Sequence, residues 1–219
     1  MLKMLKLDHI VFGSRTLEEG TEFVENILQA KLSDIGYHKD MGTHNRVIRI
    51  SEKVYLEVVA IDPKRKNLKN RKWFNLDNSN LQSKLKKSPQ IIGYVIENNN
   101  YNLTKYYDPF FEASRDRYKW KFAMPTFNNN ILDNEIIEAG IIPSLISWKT
   151  EKPICQMTRN QFELIGFEIK LSEKHQYFNT FFKSFGEIDF VSVSITTEED
   201  SSIFKLKLKD NLRDLVISL

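Results

Sequence analysis

Cysteine is almost missing from this chain: Cys155 is the only one in 219 residues. A lone thiol excludes an internal disulfide and fits a reducing compartment. Its neighbours Pro153, Ile154, Gln156 and Met157 supply neither a base nor a cluster of positive charge. Cys155 is therefore expected to be a small buried hydrophobe and not a nucleophile. Long apolar runs are missing too. Nothing matches the roughly 7–15-residue core of an export signal or the roughly 20 residues of a bilayer span. Neither export nor membrane insertion is expected, and the expected location is cytoplasmic. Charge of one sign is scarce, the net value being only +3. The basic excess gathers in Lys64, Arg65, Lys66, Lys69, Arg71 and Lys72, and later in Lys84, Lys86 and Lys87. No recognised nucleic-acid motif accompanies it. It reads as a solvated loop and helix face, or as a rim that draws anionic small molecules; nucleic acid is not the expected partner.

What is there is ordinary for a globular chain, with 41% hydrophobic and 28% charged residues. Residues 5–12 alternate, with Leu5, Leu7, His9 and Val11 on one face and Lys6, Asp8, Ile10 and Phe12 on the other, which predicts a strand. Thr16 then stands as a helix N-cap with Glu19 placed to reach back to it. Leu17, Val24, Ile27 and Leu28 recur at helical spacing. A short stretch near 32–37, then residues 45–50 and 54–61, predict three further strands. Residues 91–97, 118–124 and 143–148 repeat the pattern. Helical spacing over 101–107 must end at Pro109, and Asn128, Asn129 and Asn130 make a loop.

A strand over 162–171 opens the last third. Ser172 then caps a helix carrying Phe178, Phe181, Phe182 and Phe185, and strands near 190–196, 203–209 and 212–219 close the chain. A shift of 158 positions places Val11 on Ile169, Ser14 on Ser172, Phe23 on Phe181 and Val59 on Ile217, and the apolar period stays in register. That argues for duplication. The expected class is α+β, built from repeated βαβββ units: two over about 5–61 and 91–149 within residues 1–150, and an additional C-terminal unit over 160–219.

Glu57 lies in a strand whose other face, Val54, Leu56, Val58 and Ala60, is wholly apolar. A carboxylate buried there unpaired costs several kcal/mol, roughly, so it should meet a metal, a cation or a strong donor. His9 sits on another strand of the same unit. One imidazole and one carboxylate on neighbouring strands are half of a divalent-metal site; the competing reading is a hydrogen-bonded core histidine and a salt-bridged glutamate. Residues 36–46 pack Gly36, His38, Gly42, Thr43, His44, Asn45 and Arg46 into a polar loop leading into a strand. Such a loop lets backbone and fixed donors approach a ligand, or is an ordinary turn held by its own side chains.

Leu7-Asp-His-Ile-Val-Phe12, the loop with His38, Gly42, Thr43 and Asn45, and Tyr55-Leu-Glu57 resemble the glyoxalase-like domain family of the vicinal-oxygen-chelate superfamily. Trp73-Phe-Asn-Leu76, Trp120 and residues 142–148 resemble later parts of its pattern. The likeness covers about residues 5–150 and is most specific up to about residue 60. It implies a glyoxalase/dihydroxybiphenyl-dioxygenase-like fold, with βαβββ units forming curved mixed sheets around a cup. It also implies that His9 and Glu57 are the first unit's metal ligands, from its first and last strands. The matching positions carry Tyr94 and Ser147 in the second unit, and Phe167 and Leu215 in the last. His38 or His44 would complete a His-His-Glu set for one divalent ion: zinc, iron, manganese, nickel or cobalt.

Glu57 is alternatively a base with a raised pKa. Thr43, Asn45, Arg46, Tyr94, Arg115, Trp120 and Trp148 are the candidate substrate contacts, the arginines (with Arg117) as grips for a carboxylate or phosphate. Two function classes follow. One is a metal-assisted isomerase, lyase or dioxygenase acting on a small oxygenated metabolite. The other is a metal-free protein that binds or sequesters a small molecule. The partner in both is a small-molecule ligand, anionic where the arginines meet it, and superfamily sheets that pair between chains allow a homodimer.

Overall fold

The computed structural model describes residues 5–64, 73–97, 106–126, 134–173, 182, 186–197 and 203–219. Most of the basic stretch (65–72), most of the helical spacing over 101–107, the asparagine loop, and Phe178, Phe181 and Phe185 lie outside the described residues.

The first unit runs β1 (Lys6–Gly13), α1 (Leu17–Leu28), β2 (Gly36–His38), β3 (Thr43–Arg49) and β4 (Tyr55–Ile61). The Thr16 side chain caps α1 by accepting from the Glu19 amide at 3.2 Å, while the Glu19 carboxylate turns to Arg15. Leu17, Gly20, Val24 and Leu28 form the buried stripe of α1, packed with Leu56, Val58 and Ala60 of β4. Gly20 permits that contact. A Cβ there would sit 2.4 Å from Ser14 Oγ and 2.7 Å from Val58 Cγ1. Alanine gains about 1 kcal/mol of helix propensity, whereas overpacking costs about 1–3 kcal/mol. Gly20→Ala is expected to lower the unfolding free energy by a net ~1 kcal/mol in urea denaturation; a gain would mean the helix can lift off the sheet at little cost.

The second unit supplies β5 (Gln90–Glu97), β6 (Phe111–Arg115), β7 (Tyr118–Ala123) and β8 (Ser144–Trp148), with α2 (Ser79–Leu85) before β5 and α3 (Asn134–Glu138) before β8. The alternation in the sequence did not single out β6, α2 or α3. All eight strands form one sheet in the order β2-β3-β4-β1-β5-β8-β7-β6. Each half repeats one scheme, with a first strand parallel to its last (β1 with β4, β5 with β8) and antiparallel neighbours beyond. β1 and β5 join the halves antiparallel. The end strands β2 and β6 lie against each other, so the sheet curls nearly shut.

The convex face carries Leu7, Ile10, Phe12, Leu56, Val58, Tyr94 and Ile96 against α1, α3 and a second sheet. The concave face carries Val11, Val59, Val95, Trp120, Phe122 and Ile146, with Trp73 among them. That second sheet holds β9 (Phe162–Ser172), β10 (Val191–Thr196), β11 (Phe204–Asp210) and β12 (Leu215–Ser218), ordered β10-β9-β11-β12. Phe167 and Phe204 pack on Tyr94, at centroid distances of 5.4 and 6.4 Å. Its strand order differs from that of the first unit. The parallel partner of β9 is β10, whereas that of β1 is β4, so the 158-position shift aligns an apolar pattern and not a pairing scheme. Ser172 is the last residue of β9, one position beyond the expected strand, and most of the helix it was expected to cap lies outside the described residues. Cys155 is exposed, not buried. Among the described residues no helix is long and apolar enough to cross a membrane.

Candidate functional site

An irregularity in β1 decides what sits in the cup. Against β5, Leu7 pairs with Ile96 and His9 pairs with Val95, leaving Asp8 as an extra residue without a partner. Such a bulge breaks strict alternation. Leu7 and Ile10 both face the convex layer, and Asp8, placed by alternation on the opposite face from His9, lies beside it instead. Asp8 Oδ1 is 2.7 Å from His9 Nδ1, and Asp8 Oδ2 accepts from Trp148 Nε1 at 2.8 Å. Lys152 Nζ is 3.5 Å from the same oxygen and 2.5 Å from Glu97. Asp8 thus ties β1 to the end of β8.

On the other side of the imidazole, His9 Nε2 is 3.3 Å from Glu57 Oε2. The Glu57 Oε1 atom accepts from Asn45 Nδ2 at 2.5 Å and lies 3.8 Å from His38 Nε2. Arg115 Nη1 donates to Asn45 Oδ1 at 2.8 Å. An arginine has only donors, so this contact fixes which end of the Asn45 amide is oxygen. Asp8, His9 and Glu57 are at most 3% exposed, so this polar chain crosses the cup floor away from bulk water. Tyr55 stacks on His9 at 4.6 Å and Trp73 stacks on His38 at 4.5 Å.

The charges hold one another. Burial pushes the Glu57 carboxyl up, yet the adjacent His9 imidazole, with His38 and Asn45, outweighs it and holds the group at about 2. The expectation of a raised pKa is therefore overturned: the apolar strand is real, but the imidazole beside it decides. Burial lowers His9, while Asp8 and Glu57 on its two nitrogens raise it to about 9. Burial raises Asp8, and His9 followed by Lys152 and Trp148 brings it below its ordinary value. His38 goes the other way, lowered by burial to about 4 against the pull of Glu57. At neutral pH the floor holds an Asp8 carboxylate, a His9 imidazolium, a Glu57 carboxylate and a neutral His38.

Of the residues singled out in the sequence, the fold brings His9, Glu57, His38, Asn45, Arg115, Trp120 and Trp148 to this cluster or its walls. Thr43 stands behind His38, its Oγ1 3.1 Å from Nδ1. Three are not brought to it. Asn45 turns into the cup, so its neighbours His44 and Arg46 turn out: His44 approaches Tyr37, and Arg46 donates to the Ser33 carbonyl at 2.6 Å. Tyr94 pairs with Ile10, follows it to the convex layer, and donates from its hydroxyl to the Ile141 carbonyl at 3.1 Å. On β5 and β8 the residues packed in the cup are Ile92, Val95, Ile146 and Trp148, not the Tyr94 and Ser147 that the resemblance aligned. Asp8, Lys152 and Tyr55 were missed. Only the Asp-His doublet could have pointed to Asp8, since adjacent residues share a face at a bulge.

Among the described residues no three or more His, Cys, Asp or Glu side chains form a ready metal-binding group. The donor chemistry nevertheless fits a divalent ion. Among the described residues His9 Nε2, 3.3 Å from Glu57 Oε2, is buried without a hydrogen-bond partner. Each imidazole is anchored through Nδ1, by Asp8 or Thr43, and presents Nε2 to one carboxylate, which is how ligating histidines are oriented from behind. Two indole nitrogens of the cup, Trp73 Nε1 and Trp120 Nε1, are also buried without acceptors among the described residues.

A search of the curated proteins finds no match. Among solved structures, a hypothetical protein from Staphylococcus aureus matches with a TM-score of 0.61 at 19% identity, over 99% of this chain and 85% of that one. A variant methylmalonyl-CoA epimerase from Streptomyces coelicolor, in complex with 2-nitronate-propionyl-CoA, matches with a TM-score of 0.45 at 11% identity, over 68% of this chain and 100% of that one. The methylmalonyl-CoA epimerase of Mycobacterium tuberculosis matches with a TM-score of 0.41 at 9% identity, over 68% and 91%. The family model for a glyoxalase-like domain covers residues 7–181. That span is well over half of the chain, and the protein belongs to the glyoxalase-like domain family.

Proposed function

We propose that this protein is an enzyme of the vicinal-oxygen-chelate type, in which His9, His38 and Glu57 hold one divalent metal ion at the cup floor. The observation that carries the reading is the convergence of two back-anchored imidazoles on the two oxygens of one buried carboxylate. The bound ion supplies Lewis-acid polarisation of a substrate oxygen. Everything else belongs to the chain. Asp8 and Thr43 keep the two Nε2 atoms aimed inward, and Asn45 holds Oε1 of Glu57 so that the carboxylate cannot rotate away. Trp73 Nε1 and Trp120 Nε1 are donors without acceptors among the described residues, and a buried donor left unpaired costs about 1–3 kcal/mol. They favour a small oxygen-rich molecule as the occupant of the cup. Phe122, Trp73 and Trp120 exclude water, which strengthens each polar contact inside. The classes of reaction supported are isomerisation, elimination or dioxygenation of such a metabolite.

The test is direct titration of chelator-treated protein with Zn²⁺, Mn²⁺, Ni²⁺ or Co²⁺, read by calorimetry. One ion per chain is expected for the parent, none for Glu57→Gln or His9→Ala, and tighter uptake as pH rises, because ligation displaces a proton from His9. A parent that takes up no ion sinks the metal reading. The second reading, a metal-free binding or sequestering protein, is favoured by one specific feature: the second unit brings Val95 and Ile146 to the cup in place of ligands. It predicts thermal stabilisation by a small oxygenated ligand without metal.

A further inference from the structure

Outside the cup, and separated from it by Arg115, a groove of about 630 Å³ opens between the β2–β3 edge, the β6–β7 turn and the segment after β8. That volume is within the usual range of small-molecule sites. Arg49, Arg115 and Arg159 line it together with Gly36, Met157 and Asn160. Its polar chemistry is lopsided. The Arg49 guanidinium donates to the carbonyls of Ser51, Met157 and Glu52, at 3.0, 3.4 and 2.6 Å. Arg115 gives Nη1 to the Asn45 amide oxygen, lies 5.8 Å from the Tyr118 ring centroid, and among the described residues has only Asp116 as a carboxylate partner, at 3.9 Å. Carbonyls, an amide and a ring orient a guanidinium without cancelling its charge. The acids on the lining are Asp34 and Asp116, and Asp116 is 77% exposed.

The local sequence makes room for this arrangement. Arg115 crosses β2 at Gly36, where a Cβ would lie 2.7 Å from Arg115 Cδ and 2.8 Å from Nη1. Any larger residue would push the guanidinium off Asn45. The position of Arg115 is therefore built into β2 and not a rotamer chosen by solvent. Two half-buried arginines held by mainly neutral partners, Arg115 facing only the exposed Asp116 carboxylate among the described residues, and joined by exposed Arg159 in one concave surface, are the recognition chemistry of a carboxylate or phosphate, which accepts two parallel N–H bonds from a guanidinium.

The geometry points to this groove as a binding site for the anionic group of a small molecule, a carboxylate or a phosphate, gripped by Arg115 and Arg49 with a further charge-assisted hydrogen bond from Arg159 on the solvent side. The site lies beyond the metal cluster and stands whether or not that cluster binds an ion. Because Arg115 also holds Asn45, and Asn45 holds Glu57, an anion seated there lies two side chains from the cup floor.

The test is calorimetric titration of metal-free protein with inorganic phosphate, and separately with succinate, at low ionic strength. Saturable binding of at least one is expected. Arg159→Gln should weaken it about tenfold, the worth of one charge-assisted hydrogen bond, with unchanged thermal stability. Arg117→Gln, on the β6–β7 turn beside Arg115 but outside the groove, should change it less than twofold. Arg115→Lys should keep the charge yet weaken binding by a similar factor, because the fork is lost. No saturable binding of either anion overturns the assignment, and equal losses in Arg159→Gln and Arg117→Gln reduce it to diffuse surface attraction. No metal enters this titration, so its failure and that of the metal site are separate results.

Discussion

His9→Leu is expected to be the most damaging single substitution in the cup, lowering the unfolding free energy of the metal-free protein by about 3–5 kcal/mol, the usual cost of stranding a buried charge. The imidazolium stands between two carboxylates, 2.7 Å from Asp8 and 3.3 Å from Glu57, and leucine fills much of its space while leaving both anions in a dry site. Asp8 keeps Trp148 and Lys152, and Glu57 keeps Asn45, but none of these replaces the charge between them. Glu57→Leu should cost less, about 1–3 kcal/mol, because His9 then discharges by losing a proton and retains its Asp8 bond. The double variant His9→Leu/Glu57→Leu should be less destabilised than the sum of the two, since the second change removes one of the anions stranded by the first. Urea denaturation of the four proteins at pH 7 measures all three quantities. Additive losses, or a Glu57→Leu cost above that of His9→Leu, would show that the chain from Asp8 to Glu57 is not held by its charges.

Those charges also explain how much of the molecule was legible in its sequence. The periods of β1, α1 and β4 were readable because each element has one apolar face and one cap or turn that ends it; Thr16 and the Leu56–Val58–Ala60 face behave as their spacing implies. His9 and Glu57 were named together from their residue types on neighbouring strands and from the family resemblance; alternation alone grouped His9 with Leu7, which packs in the convex layer. Asp8 was missed because a period of two cannot register an inserted residue, and the bulge is specified by pairing with β5, far away in the chain. Tyr94 failed for the complementary reason. An alignment of Asp8-His9 with Gly93-Tyr94 preserves sequence order, but in an antiparallel pair the face is set by the cross-strand partner, and for Tyr94 that partner is Ile10. His44 and Arg46 were named for their residue types in a polar loop; once Thr43–Arg49 proves to be a strand, every second residue must leave the cup. Trp73 was legible as an aromatic and not as the residue covering His38, since nothing local aims a side chain across the cup.

The pH dependence of stability should show two separate limbs with a maximum near pH 6.5. On the acid side, His38 is held at about 4 in the fold against an ordinary value near 6.5. Its contribution is fully present above about 6.5 and is lost as pH falls toward 4. Glu57, held at about 2 against an ordinary value near 4.3, adds a loss that begins below about pH 4.5. On the alkaline side, His9 is raised to about 9, so its contribution is complete below about 6.5 and disappears as pH rises to 9. A displacement of about 2.5 pH units corresponds to about 3 kcal/mol. The Glu57 and His9 losses describe one ion pair from its two ends and are not summed. Urea denaturation at half-unit intervals from pH 4 to 9.5 resolves the limbs, and two variants assign them. His38→Gln should flatten the slope between pH 6.5 and 4.5 while leaving the alkaline limb intact. His9→Gln should abolish the alkaline limb, because no group with a raised pKa then titrates there. An alkaline limb that survives His9→Gln would place the proton elsewhere, and a parent curve flat from pH 6.5 to 9 would mean that His9 is neutral between its two carboxylates.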